Sequence, residues 1–196
     1  MFTDPQIIIN NDGEAVYYPL VFNTVEAQKL LTELLSNIEW QHDEVIMFGK
    51  QITTKRKVAW YAGEGISYTY AGKRKDPLPW SPLLLSIKEI VEKQTGATYN
   101  ACLLNLYHAG DEGMSWHRDN EKEIVPESSI ASVSFGAARK FAFKHAATAQ
   151  KIELMLDAGS VLDMRGPIQQ HWYHALSPSK KIKDLRVNLT FRLLIK

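Results

Sequence analysis

The stretch Arg186-Val187-Asn188-Leu189-Thr190-Phe191-Arg192-Leu193 alternates polar and apolar residues without a break. Successive side chains on a strand point to opposite faces, so this reads as a strand with Arg, Asn, Thr and Arg on one face and Val, Leu, Phe and Leu on the other. The apolar face requires a core; the polar face requires either solvent or a polar cavity. The whole second half shares this texture. From Tyr99 onward, short runs rich in β-branched and aromatic residues are broken by Gly, Pro and Asp, and strands are expected near 99–107, 130–135, 140–145, 151–156, 159–164, 171–176 and 186–195. Short strands with no helix between them point to an antiparallel sandwich or barrel.

The first half supplies helices to pack outside that core. Residues 23–38 place Ala27, Leu30, Leu31, Leu34, Leu35 and Ile38 on one helical stripe, with Asn23 and Glu26 spaced as a capping pair. A second helix is expected from Ser81 as N-cap and Pro82 at the first turn, through Leu83, Leu84, Ile87, Ile90 and Val91, to Gly96 as the stop. The fold class is therefore α+β with a β core. A length of 196 residues suits one domain spanning 1–196.

Lys and Arg total 23 against 22 Asp and Glu, a net charge of +1 that excludes a histone-like protein and requires any polyanion site to be local. The single cysteine, Cys102, excludes an internal disulfide and a multi-cysteine zinc site, and suits a reducing compartment. No secretory leader or membrane span is visible, so the expectation is a cytoplasmic monomer, nuclear in a eukaryote, with no membrane partner.

Between the two helices, Lys55-Arg56-Lys57 and Lys73-Arg74-Lys75 are interleaved with Phe48, Trp60, Tyr61, Tyr68 and Tyr70. Cations for phosphates beside rings for bases is the composition of a nucleic-acid surface, although a solvated sheet edge has the same composition. His117-Arg118-Asp119 follows a loop of Gly and acids, and on a strand His117 and Asp119 share a face. One further histidine completes a facial triad of two imidazoles and a carboxylate, the set that holds iron(II) with positions left open. His171 and His174 are both candidates, and a regular strand points them to opposite sides. Two arginines on the polar face of the last strand can grip a small dicarboxylate by paired hydrogen bonds, and Asn105 and Tyr107 share that parity on an earlier strand.

The order Asn105-x-Tyr107, His117-x-Asp119, His174 and Arg186-x5-Arg192 resembles the AlkB family of iron(II) and 2-oxoglutarate dioxygenases. The segments WHRDNE, IASVSFGAARKFAFKH, HWYHALSP and RVNLTFR are most similar to members that repair alkylated DNA. The resemblance implies a double-stranded β-helix, or jelly roll, as a catalytic core over 99–196, with 43–76 as a nucleotide-recognition lid. It selects His174 over His171, because His174 stands twelve residues before Arg186. It implies Fe(II) at His117, Asp119 and His174, with 2-oxoglutarate and O2 as cosubstrates. Arg186, Tyr107 and Asn188 are implied at the distal carboxylate, and Arg192 and Asn105 nearer the chelating end. The implied reaction is oxidative demethylation of N-alkylated bases such as 1-methyladenine and 3-methylcytosine in single- or double-stranded DNA, or in RNA, releasing formaldehyde, succinate and CO2. Tyr70, with Tyr68 beside it, matches the ring against the flipped base. Asn120 and Glu121 match base-pocket positions, with Asn120 replacing an acid; Arg56 belongs to the substrate surface. Phe48 in Met47-Phe48-Gly49-Lys50 matches the finger that duplex-repairing members insert into the base stack. The alternatives are the same oxygenase chemistry on methylated RNA or a protein side chain, or a non-catalytic nucleic-acid-binding module.

Overall fold

The two helices form where their caps predict. In α1 (Thr24–Asn37) the Asn23 side chain accepts from the N–H groups of Val25 and Glu26, and the Glu26 carboxylate accepts from the N–H of Asn23. In α2 (Pro82–Thr95) Ser81 accepts from the N–H of Leu84, and Gly96 closes the helix in the left-handed conformation at φ 70°. A computed structural model describes residues 4–47, 50–66, 68–70, 73–75 and 77–195, with backbone alone for 43–47, 50–52, 68–70 and 73–75.

The strands before α2 are β1 (Gln6–Ile9), β2 (Glu14–Tyr18), β3 (Gln41–Met47), β4 (Lys50–Ala62), β5 (Tyr68–Tyr70), β6 (Lys73–Lys75) and β7 (Leu78–Pro79). After it come β8 (Ala101–Tyr107), β9 (Met114–His117), β10 (Ile130–Gly136), β11 (Arg139–His145), β12 (Lys151–Leu156), β13 (Val161–Arg165), the short helix α3 (Ile168–His171), β14 (Trp172–Leu176) and β15 (Arg186–Arg192). They form a larger sheet in the order β1-β2-β13-β10-β15-β8-β4-β3, with β7 beside β4, a smaller sheet β12-β11-β14-β9, and a ribbon β5-β6. Every pairing of named strands is antiparallel except that of β7 with β4. This is the expected jelly roll. Among the described residues no helix is long and apolar enough to cross a membrane.

Alternation sorts the larger sheet into two cores. Val187, Leu189 and Phe191 of β15, Leu104 of β8 and Val133 of β10 pack with Leu34 of α1 and Ile87 of α2 on the outer face. The opposite residues of the same strands face the smaller sheet, where Phe141, Phe143 and Trp172 pack with Tyr107, Leu162 and Met164. All seven residues of β15 are buried, so its polar face lines the interior of the roll rather than solvent.

Strands β1–β7 and β9 add to the seven expected, and two of the differences from expectation have local causes. The strand expected from residue 171 begins at Trp172, because the turn at Gly166 (φ 60°) and Pro167 starts a helical turn over Ile168–His171. The β1–β2 hairpin was not foreseen from its short strands, although Asn11-Asp12-Gly13 carries turn chemistry; Asp12 (φ 53°) and Gly13 (φ 122°) are left-handed, and a Cβ on Gly13 would lie 2.5 Å from Ile168.

Leu104 is fully buried between β8 and the helices. Leu104→Ala is expected to cost about 2–5 kcal/mol through lost transfer energy and a residual cavity. Urea unfolding of parent and variant measures it; a loss well below about 1 kcal/mol would contradict this account of the helix-covered core.

Candidate active site

β9 and β14 bring two histidines face to face. His117 and His174 are register partners, with ring centroids 4.2 Å apart at 68°. The strand ends at His117, so Asp119 does not share a strand face with it as expected; two residues beyond β9 it is held by α3, its N–H donating to Gln169 Oε1 at 3.0 Å. The intervening Arg118 donates to the Gln170 carbonyl at 2.7 Å and stacks 4.5 Å above the Tyr173 ring. One candidate ligand atom from each of His117, Asp119 and His174 lies within 4.8 Å of the others. His117 Nδ1 is 2.7 Å from the Ser115 carbonyl, which can only accept, so Nδ1 carries the proton and the Nε2 lone pair is free for a metal. Two imidazoles and a carboxylate in this arrangement suit iron(II).

Charge in this buried cluster is balanced locally. Arg192 Nη2 lies 3.0 Å from Asp119 Oδ1. Burial pushes the Asp119 carboxyl up, but Arg192, then His174 and His117, outweigh it and hold the group at about 2. Burial drives His174 down to about 3 against the pull of Asp119, keeping it neutral with a lone pair to donate.

The triad opens into a cavity of about 240 Å³, lined on its other side by Asn105 and Tyr107 of β8 and by Arg186, Asn188, Thr190 and Arg192 of β15. Arg186 and Tyr107 are register partners, as are Asn188 and Asn105. Arg186 donates to Ser134 Oγ at 2.9 Å, and its guanidinium carbon lies 5.6 Å from the Tyr107 ring centroid. Asn188 donates to Ser132 Oγ at 2.8 Å and accepts from Thr190 at 3.1 Å. Burial lowers Arg186 to about 10, which leaves it cationic at neutral pH. Arg186 Nε and Asn105 Oδ1 are buried without a hydrogen-bond partner among the described residues. A buried guanidinium facing a cavity fits a ligand that carries a carboxylate, as 2-oxoglutarate does.

The candidate substrate residues are distributed differently. Glu121 is half-buried in the cavity wall and Asn120 is exposed beside it. Arg56, read as part of a surface cluster, is buried instead, its guanidinium 3.3 Å from Met114 Sδ in the cavity lining. Tyr68 and Tyr70 pair with Lys75 and Lys73 in the β5-β6 ribbon, and Phe48 lies outside the described residues. Ser132, Ser134 and Gln169 were not singled out from the sequence. The alternation of Ile130-Ala131-Ser132-Val133-Ser134 carried a signal for the serines; Gln169 carried none.

His171 is not part of the triad. It ends α3 beside His145 and Asp12, a second cluster whose candidate ligand atoms also lie within 4.8 Å. There the Thr148 N–H donates to His145 Nδ1, so Nε2 bears the proton and donates to Asp12 Oδ2 at 3.1 Å. The cluster is a hydrogen-bonded latch between the β1–β2 turn and β11, with no lone pair on His145 Nε2 for a cation.

The 2OG-Fe(II) oxygenase superfamily matches residues 14–192. The chain is 39% identical to the DNA oxidative demethylase ALKBH2 of Homo sapiens, over 95% of this chain and 76% of that protein. It is 33% identical to the alpha-ketoglutarate-dependent dioxygenase alkB homolog 3 of Homo sapiens, over 98% of this chain and 77% of that one. The solved structure of OsALKBH1 has the same fold, with a TM-score of 0.67 at 14% identity over 96% of this chain and 100% of that chain.

His117→Ala, Asp119→Ala and His174→Ala are each expected to abolish 2-oxoglutarate-dependent succinate formation, whereas His171→Ala keeps activity within about tenfold of the parent, the small end of effects seen outside a ligand set. Succinate assays on variants whose circular dichroism matches the parent decide this. An inactive, folded His171→Ala together with an active His174→Ala would reverse the assignment.

Proposed function

The chain belongs to the AlkB family within the 2OG-Fe(II) oxygenase superfamily, and on that premise we propose that it is a DNA oxidative demethylase acting on N-alkylated bases such as 1-methyladenine and 3-methylcytosine. The observation that carries this reading is that the His-Asp-His set and the polar face of β15 meet in one buried cavity. His117, Asp119 and His174 hold Fe(II), and the family's cosubstrates are 2-oxoglutarate and O2. Bound there, the metal and its cosubstrates supply the oxidation: 2-oxoglutarate is converted to succinate and CO2, and the hydroxylated N-methyl group leaves as formaldehyde.

The chain's own residues supply geometry, charge and dryness. Arg186, with Tyr107 and Asn188, takes the distal carboxylate of 2-oxoglutarate. Arg192, held at Asp119, and Asn105 face the end nearer the metal. The Phe141 ring, stacked 5.5 Å from His174, and the buried Leu176 keep water from that side of the triad.

The Watson-Crick edge of a paired base cannot reach such a cavity, so the base must leave its stack, and a methyl group that breaks pairing lowers the cost. Residues 43–76 form the lid that receives it. Tyr70, with Tyr68 beside it, stacks on the base, and Asn120 and Glu121 face its edge. Lys55 and its neighbours meet the phosphates while Arg56 supports the cavity wall. Phe48 fills the gap left in a duplex, which makes double-stranded DNA a substrate alongside single strands.

Formaldehyde and succinate release from 1-methyladenine in single-stranded DNA, duplex DNA and RNA of one sequence tests the reading. Release from both DNA forms above RNA is expected, and Phe48→Ala should lose the duplex activity selectively. Succinate formed equally with and without every methylated oligonucleotide would contradict a nucleic-acid substrate.

A further inference from the structure

One guanidinium outside the cavity ties together two loops that join strands lining it. Arg139, on β11, is 1% exposed, and its hydrogen bonds run to main-chain carbonyls. Its Nη2 lies 3.1 Å from the Gly110 carbonyl, 2.7 Å from that of Glu112 and 3.1 Å from that of Ser177, and Nη1 reaches Ala109 O at 3.5 Å. Residues 109–112 connect Tyr107, the last residue of β8, to β9 and its His117; Ser177 directly follows β14, which carries His174. One side chain therefore holds the three segments that bear Tyr107, His117 and His174.

The two loops also meet directly. The Gly110 N–H donates to Ile182 O at 3.0 Å, and the Ser179 N–H donates to Gly110 O at 2.6 Å. A Cβ on Gly110 would fall 2.3 Å from Ser179 O, and one on Gly113 2.5 Å from Leu176 O, so neither loop can withdraw from the other without breaking these contacts. The Tyr107 ring is near two guanidinium groups, with Arg139 at 5.9 Å and Arg186 at 5.6 Å from its centroid.

A buried cation is costly, and a lysine could place only one point of charge here. Here one guanidinium nitrogen, Nη2, reaches carbonyls of both loops, while Nη1 adds the longer contact to Ala109.

We propose that Arg139 is a positioning residue for cosubstrate binding: by clamping the 109–112 loop to Ser177 it sets Tyr107 against Arg186 and keeps the ligand strands β9 and β14 in register. It rests on the assignment of Tyr107, Arg186, His117 and His174 given above.

The test is calorimetric titration of 2-oxoglutarate into the full-length, Mn(II)-loaded protein without oxygen, well below the melting temperature, for the parent, Arg139→Lys, Arg139→Gln and Arg186→Lys. Both Arg139 variants should bind 2-oxoglutarate about tenfold or more weakly, the scale of residues that orient a ligand set. Their KM for 2-oxoglutarate should rise in parallel while KM for the methylated oligonucleotide stays at the parental value. A purely structural role would lower the melting temperature and leave the affinity of the folded protein unchanged, and that result overturns the proposal. Parental affinity in Arg139→Lys with weakened binding in Arg186→Lys overturns the Arg139 role alone. Parental affinity in both overturns the cavity assignment and the Arg139 role with it. Should neither Arg139 variant fold, hydrogen exchange in the parent decides. Slower exchange of the Gly110 and Ser179 amides on adding 2-oxoglutarate with Mn(II) supports the clamp, and unchanged exchange overturns it.

Discussion

A strand buried on both faces cannot leave a polar face without partners, and β15 is such a strand. Its apolar side is covered by the helices, so Arg186, Asn188, Thr190 and Arg192 must find their partners inside the roll. Ser132 and Ser134 of the neighbouring β10 satisfy part of that demand, and Asp119 takes Arg192. What remains is the Arg186 guanidinium edge, which faces the cavity together with the Asn105 amide oxygen of the neighbouring β8. The cavity's chemistry follows from where the sheet is covered.

The metal end is assembled by different means. Two short strands of the smaller sheet oppose His117 and His174, and the chain then turns Asp119 inward onto α3. The carboxylate is held ionised beside Arg192, and the burial of His174 holds that ring neutral, so both offer lone pairs without waiting for a proton to leave. Arg192 links the ends, since it belongs to the polar face of β15 and pairs with a triad member. An AlkB-family oxygenase has to place a metal and a dicarboxylate at bonding distance from one another, and this pair fixes the sheet's polar face to the metal set.

Legibility in the sequence followed the locality of the physics. Both helices were readable because their caps are local: Asn23 with Glu26, and Ser81 with Pro82 and Gly96. β15 was readable as a strand from its alternation, but whether its polar face met solvent or a cavity depended on the helices α1 and α2, far earlier in the chain. His171 and His174 could not be separated by strand parity, because α3 takes His171 out of the strand, and family resemblance made the choice. Arg56 shows the limit of reading charge as surface: it is flanked by lysines, yet strand alternation turns it inward to Met114. Gln169 and Arg139 act on main-chain groups distant in sequence, and no local pattern reports such contacts.

The central claim is that the triad and the polar face of β15 form one composite site. Thermal unfolding without oxygen, with Mn(II) and 2-oxoglutarate added singly and together, tests it most directly, since a ligand that binds the folded state raises stability by about 2.7 kcal/mol at a hundred times its Kd. The account predicts that the two together raise the melting temperature by more than the sum of their separate shifts. Separate shifts that merely add, or no shift from either, would contradict it.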